Sequence, residues 1–349
     1  MSFTKAYMLI VFLLVGIVPS QAQTFDDYIQ RGVEYHDLGS YAMAVDQYLM
    51  AYKLNPESGM VNYQLCISYY HLGNYEKSLK FAQHVIDLDD EEHLEGAYIM
   101  KGSALDMMDK PQSAINHYRE ALKRYPKSFL IHYNLAYTAF DIGDYQLSTD
   151  HLQKALRIRA IHPNSHNLLG QIHYNNSPIK SILAFSYYLL IDPKEKNSLA
   201  ILALLVDQLE DGKNMKTGPL YAANVNYQDK DPYFKQLEKA LDLIQESLDK
   251  EEQLESQGVA LFAENLNMFY LMIGEAMPED DSGFWWDFYV DFFYEMAQAG
   301  HAKTFAYYIS QSNHDAEAAS WMIENEESLV QLIGWIDNYY QYKGIRKKK

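Results

Sequence analysis

The chain has one cysteine, Cys66, in 349 residues, so no intrachain disulfide can form and packing alone must hold the fold. Cations are in the minority, 29 Lys and Arg against 47 Asp and Glu, for a net charge of −18. A surface that acidic repels nucleic acid and anionic lipid, and both are excluded as main partners. Long apolar runs are missing too. The longest, Met8 to Val18, is 11 residues, and a helix needs about 20 to cross a bilayer. Also absent are G-x-S-x-G, H-E-x-x-H, a glycine-rich phosphate loop and any Cys/His pairing in a catalytic context. The sequence therefore offers no catalytic residue, no cofactor site and no metal site, and the expectation is a protein that is not an enzyme.

The apolar run sits in "MSFTKAYMLIVFLLVGIVPSQAQ", behind a single cation, Lys5, and ahead of Ser20-Gln21-Ala22. This order matches a secretory signal, with small residues at the two places that a signal peptidase reads. Residues 1–22 are expected to be removed after Ala22. An uncleaved anchor is the competing reading, and the run is short for it. The mature chain would then have no integral membrane span and be periplasmic or secreted. With no cysteine near the junction, lipid attachment there is excluded. The sole sequon, Asn175-Asn176-Ser177, is followed by Pro178, which disfavours glycosylation and leans towards a bacterial periplasm.

What the chain has instead is recurrence. In "LGSYAMAVDQYLMAYKLNP" the turn glycine Gly39 has counterparts at Gly73, Asp109 and Gly143, at intervals of 34, 36 and 34 residues. Two residues later come Tyr41, Tyr75, Pro111 and Tyr145. Gly32 maps to Cys66, Gly102 and Ala136, and Ala44 to Ser78, Ala114 and Ser148. Small residues at matched places let two helices approach closely, and Tyr48 is expected to fill the wedge between neighbours. Period and pattern resemble the tetratricopeptide repeat, a helix–turn–helix unit of about 34 residues. The resemblance implies an all-α, right-handed superhelical solenoid. Its repeats fall at 25–58, 59–92, 95–128 and 129–162. A degenerate fifth at 163–195 has its second helix one residue out of phase, and a capping helix runs to 210, giving a repeat region of 23–210.

Residues 211–230 read as a linker, rich in Gly, Pro and Asn with no helical period. A C-terminal helical module is expected over 231–343. It contains all four tryptophans, has its first helix marked by Phe234, Leu237, Leu241, Ile244 and Leu248, and is followed by a basic tail at 344–349.

In the family it resembles, the first helix of each repeat lines a concave groove. Carried over by position, the partner-binding groove would show Tyr63, Ile67 and Tyr70, then Tyr133, Tyr137 and Phe140, then Asn167, Gln171 and Tyr174. The family's basic clamp for a peptide carboxylate has no counterpart, since the matching positions hold Ile29, Tyr63, Ile99, Tyr133 and Asn167. The lining suits an extended peptide or a partner helix, because tyrosine gives a large contact area at small entropic cost. The expectation is a non-catalytic adaptor of the bacterial envelope. The alternative is a glycan- or peptidoglycan-associated binding protein, or an accessory subunit of an envelope enzyme. A second choice stands beside it: the groove is open, or it is filled by the chain's own 211–231 segment or tryptophan-rich module. The sequence does not set the oligomeric state.

Three further patterns carry alternatives. From His151 to Ile191 there is no acid, while Lys154, Arg157, Arg159, Lys180 and four histidines are present. That window is either a patch for an acidic partner segment or drift in a diverged repeat. His166 and His173 share a helix face, but zinc needs three or four ligands and the window has no cysteine or carboxylate. Asp287, Asp291 and Glu295 form a stripe that reads as a solvent face or, less simply, a calcium site.

Overall fold

The computed structural model describes residues 24–210, 227, 233–235, 237–238, 241–242, 258–277, 283–313 and 315–343. The expected signal, the basic tail, and most of the 211–230 linker and of the first helix after it lie outside the described residues. By internal packing the chain forms two compact units, Met1–Lys110 and Pro111–Lys349. Among the described residues there is no strand, and the fold class is all-α, built from successive helix–turn–helix pairs.

The first unit holds α1 (Phe25–Asp37), α2 (Tyr41–Leu54), α3 (Gly59–His71), α4 (Tyr75–Leu88) and α5 (Leu94–Met107). Polar caps start these helices. Thr24 accepts from the Asp27 amide while Asp27 accepts from the Thr24 amide, and Ser58 accepts from the Val61 amide. The turns repeat atom for atom. Ser40, Asn74 and Lys110 each donate an amide to the carbonyl five residues back, at 2.8, 2.9 and 3.0 Å. Gly39, Gly73 and Asp109 donate three back, each at 2.9 Å. This closure requires a left-handed residue at its centre, and φ there is 71°, 72° and 57°. Asp109 alone among these carries a Cβ into that region, at a cost of about 1 kcal/mol. Asp109→Gly is therefore expected to stabilise the chain by about 1 kcal/mol in a denaturant titration, and Gly73→Ala to destabilise it by a similar amount.

The small-residue positions show why they are small. A Cβ at Gly32 would lie 2.3 Å from the Tyr48 ring, which is fully buried. The ring is therefore clamped on the backbone of α1 inside its own repeat, rather than wedged between repeats. At the next equivalent pair, Cys66 Sγ meets Ser78 Oγ at 3.4 Å. Burial pushes the Cys66 thiol up to about 11, so it stays protonated and unreactive.

The second unit begins with α6 (Pro111–Arg124), α7 (Phe129–Asp141), α8 (Tyr145–Ile158), α9 (Pro163–His173), α10 (Pro178–Ile191) and α11 (Ser198–Glu210). The α7–α8 turn closes like those of the first unit, with Gly143 at φ 79°. In the degenerate repeat, Gly170 packs on Phe185, 15 residues on, where Gly32 packs on a ring 16 residues on. Beyond it lie α12 (Gly258–Glu275), a π-helical turn (Trp286–Val290), α13 (Asp291–Gln298), α14 (Ala302–Ser310), α15 (Ala316–Glu324) and α16 (Glu326–Tyr342).

One apolar core extends from Ala136 to Tyr340. Its centre is α10, buried continuously from Ile179 to Leu189, as expected for a helix that is apolar on all sides. Tyr270 of α12 stacks on Phe293 and donates to Ser186 of α10 at 2.7 Å. The hydroxyls of Tyr187 and Tyr340 bond to each other. Two of the three stripe carboxylates secure the end of α16, where Lys343 Nζ is 2.6 Å from Asp291 and 3.4 Å from Glu295.

Candidate partner-binding faces

The predicted groove residues divide between the units. In the first, Tyr63 and Tyr70 lie on α3 and are half-buried. The Tyr63 hydroxyl rests where a side chain at Gly96 would be, and its ring is 5.3 Å from that of His93. The contact fixes Tyr63 against the first turn of α5. Tyr70 meets Tyr75 edge-on at 5.4 Å, and Ile67 is half-buried. The exposed apolar groups here are methionines, Met60 on α3 and Met107 on α5. Beside them His36, His71 and Tyr41 form a small cluster, with Tyr41 stacked on His71 at 4.4 Å.

In the second unit α7 presents Leu130, Tyr133, Tyr137 and Phe140. Tyr137 is 44% exposed and Leu130 is also open to solvent. Tyr133 is held edge-on to His162 at 4.6 Å and lies 6.3 Å from Tyr137. Burial pushes the Tyr133 phenol up to about 12, so it remains a hydrogen-bond donor. Burial also pushes His162 down to about 4, helped by Arg159, which keeps its ring neutral. Phe140 packs on Tyr145 at 5.6 Å.

On α9 the predicted residues turn inward. Asn167 and Gln171 bond to each other at 2.8 Å, and Gln171 is buried. Tyr174 is buried as well. Its hydroxyl donates to Asp207 at 3.0 Å and its carbonyl accepts from Gln208 at 2.6 Å. Tyr174 therefore belongs to the core that joins α9 to α11, and it presents no surface to a partner.

The chain covers α9 and α10 itself. Trp285 meets His173 edge-on at 4.9 Å, and Tyr227, from the predicted linker, meets the same ring at 5.2 Å. Lys180 lies over Phe234 and Trp285, at 4.6 and 5.5 Å. His166, predicted as a neutral groove or surface group, is fully buried. Its Nε2 is 2.8 Å from the Ala160 carbonyl, which can only accept, so Nε2 carries the proton. Nδ1 then accepts from the Tyr289 hydroxyl at 2.7 Å, 123 residues away in sequence. Desolvation pushes His166 down to about 3.

The acid-free window is explained by the same burial. His151, His166, His173 and Lys180 are all buried, and only Lys154, Arg157 and Arg159 are exposed cations. An ionised carboxylate would be costly in such surroundings. The window is core for most of its length, not a charged patch. Sequence reasoning missed the closure over α9 because its contacts lie more than 100 residues apart. The one available signal was the aromatic density of 284–293.

Tetratricopeptide repeat models match residues 57–127 and 99–166. No curated protein matches the chain. Among solved structures it is similar to a thermophilic TPR protein of Thermus thermophilus, at 17% identity over 53% of this chain and 99% of that one, with a TM-score of 0.43. It is also similar to PilF of Pseudomonas aeruginosa, at 15% identity over 57% and 95%, with a TM-score of 0.46. A third is MamA of Desulfovibrio magneticus RS-1, at 16% identity over 50% and 99%, with a TM-score of 0.41. With matched models across 57–166 and the same turn closure at four successive positions, the chain is a tetratricopeptide repeat protein.

Proposed function

We propose that this protein is a non-catalytic scaffold of a bacterial envelope that holds a partner polypeptide on the α7 face. The observation that carries the reading is a contrast between helices. Tyr48 and Tyr118, on second helices, are sealed in the interior, while Tyr137 and Leu130, on a first helix, stand in solvent beside the fixed ring of Tyr133. A rigid aromatic and aliphatic surface of this kind binds at low conformational cost. The exposed Lys154, Arg157 and Arg159 suit a partner with an acidic segment nearby. Tetratricopeptide repeats serve as protein-interaction scaffolds, and the peptide reading follows from that.

The test is a photoreactive phenylalanine placed at Tyr137 in cells, with the same group at exposed Asp150 of α8 as control. A discrete polypeptide adduct at 137 and none at 150 is expected. Adducts only with wall glycan, or equal adducts at both positions, would overturn the reading. Export belongs to the same proposal and rests on Lys5, the Met8–Val18 run and Ala22, just ahead of the α1 cap at Thr24. The chain recovered from the envelope fraction should begin at Gln23, and a cytoplasmic chain retaining residues 1–22 contradicts this.

A further inference from the structure

The last two helices carry a surface that the repeats do not account for. In α15 the aliphatic Ile323 is 80% exposed, and in α16 Val330 and Ile333 are 63% and 51% exposed. Glu326, Val330, Ile333 and Asp337 lie at helical spacing along one ridge of α16. Gly334 adjoins the ridge, and a Cβ there would meet nothing within 4 Å. A glycine inside an exposed helix costs about 1 kcal/mol relative to alanine, and here it leaves a notch beside two exposed aliphatic groups. The charge around the ridge has one sign. Residues 315–342 contain Asp315, Glu317, Glu324, Glu326, Glu327 and Asp337, with no Lys, Arg or His. The cations that approach these helices do so elsewhere. Lys303 lies over Trp321, and Lys343 pairs with Asp291 and Glu295.

We propose that the α15–α16 ridge docks a cationic amphipathic helix of a partner polypeptide. Its apolar side would lie on Ile323, Val330 and Ile333, and its Lys and Arg on Glu324, Glu326, Glu327 and Asp337. An apolar row rimmed by carboxylates is complementary to such a helix in both shape and charge. It rejects an acidic one. The chain's own Arg346–Lys349 has the right charge but cannot serve in the same molecule. It leaves from the far end of α16, about 25 Å from the helix start at 1.5 Å per residue, and six residues reach at most about 20 Å.

The test titrates the full chain with an 18-residue synthetic helix of leucine and lysine, leucines on one face, using calorimetry and tryptophan fluorescence. Saturable one-to-one binding that weakens with salt is expected. Ile333→Lys and Val330→Lys should each lower affinity at least tenfold with an unchanged melting curve, since both sites are exposed. Tyr137→Ala should leave this affinity unchanged, which separates the result from the fate of the α7 proposal. Equal binding by the lysine-to-glutamate version of the peptide would overturn the inference. So would unchanged affinity in the Ile333→Lys chain, or self-association that buries the ridge in a second copy.

Discussion

Tyr48→Ala is expected to destabilise the first unit by about 3–5 kcal/mol, the usual cost of emptying a fully buried aromatic site. The ring is sealed over the bare backbone of Gly32, in a core made with Ala44, Val45, Ala51, Val61, Leu65 and Tyr69. Neither helix can move in to fill the space, because α1 and α2 are held by the closed turn through Gly39. Gly32→Ala should also be severe, since its Cβ would lie 2.3 Å from the ring and only backbone movement relieves that. Tyr137→Ala, by contrast, should change stability by no more than about 0.5 kcal/mol. Chemical denaturation of the three variants checks the set. A small loss for Tyr48→Ala would mean that small-residue and aromatic positions do not form the paired contact described.

Acidification should weaken the second unit before any carboxylate titrates. His166 is neutral in the fold, with Nε2 donating to Ala160 and Nδ1 accepting from Tyr289, and its folded value is pushed from 6.5 down to about 3. The unfolded chain therefore binds a proton that the folded chain excludes. Its share of stability is fully present above about pH 6.5 and is lost progressively as pH falls towards 3. Between pH 7 and pH 5 that loss is about 2 kcal/mol for one such group. His151, pushed down to about 3 by burial and then by His132, acts in the same direction. His132 donates Nε2 to the Pro126 carbonyl, so the 2.8 Å contact between the two Nδ1 atoms uses the His151 proton. His166→Gln, which keeps a donor and an acceptor without the titration, should reduce the pH dependence between 7 and 5 by about 2 kcal/mol. If the variant keeps the parent's slope, His166 is not the buried neutral group described.

The parts of the fold visible in the sequence are those set by local chemistry repeated in register. The left-handed turn position was legible because only glycine, or occasionally aspartate, sits there cheaply, and all four turn residues, Asp109 included, have positive φ. The slip in the fifth repeat showed as a missing glycine and is realised as Gly170 against Phe185. Depth was harder to read. A histidine or glutamine on a helix looks the same whether water or another helix lies above it. His166, Gln171 and Tyr174 were therefore indistinguishable from groove residues until Tyr289, Trp285 and Asp207 came into place. For Tyr63 and Tyr133 the position was legible, but their fixing against Gly96 and His162 was not.

The separation of scaffold rings from presenting rings is the central claim, and one paired measurement tests it most directly. A peptide selected by display against the full chain would be titrated into the parent and the Tyr137→Ala protein, with melting curves recorded on the same samples. The predicted result is at least a tenfold loss of affinity, about 1.4 kcal/mol, with the midpoint shifted by less than about 2 °C. Unchanged affinity, or a melting point that falls along with it, would contradict the separation.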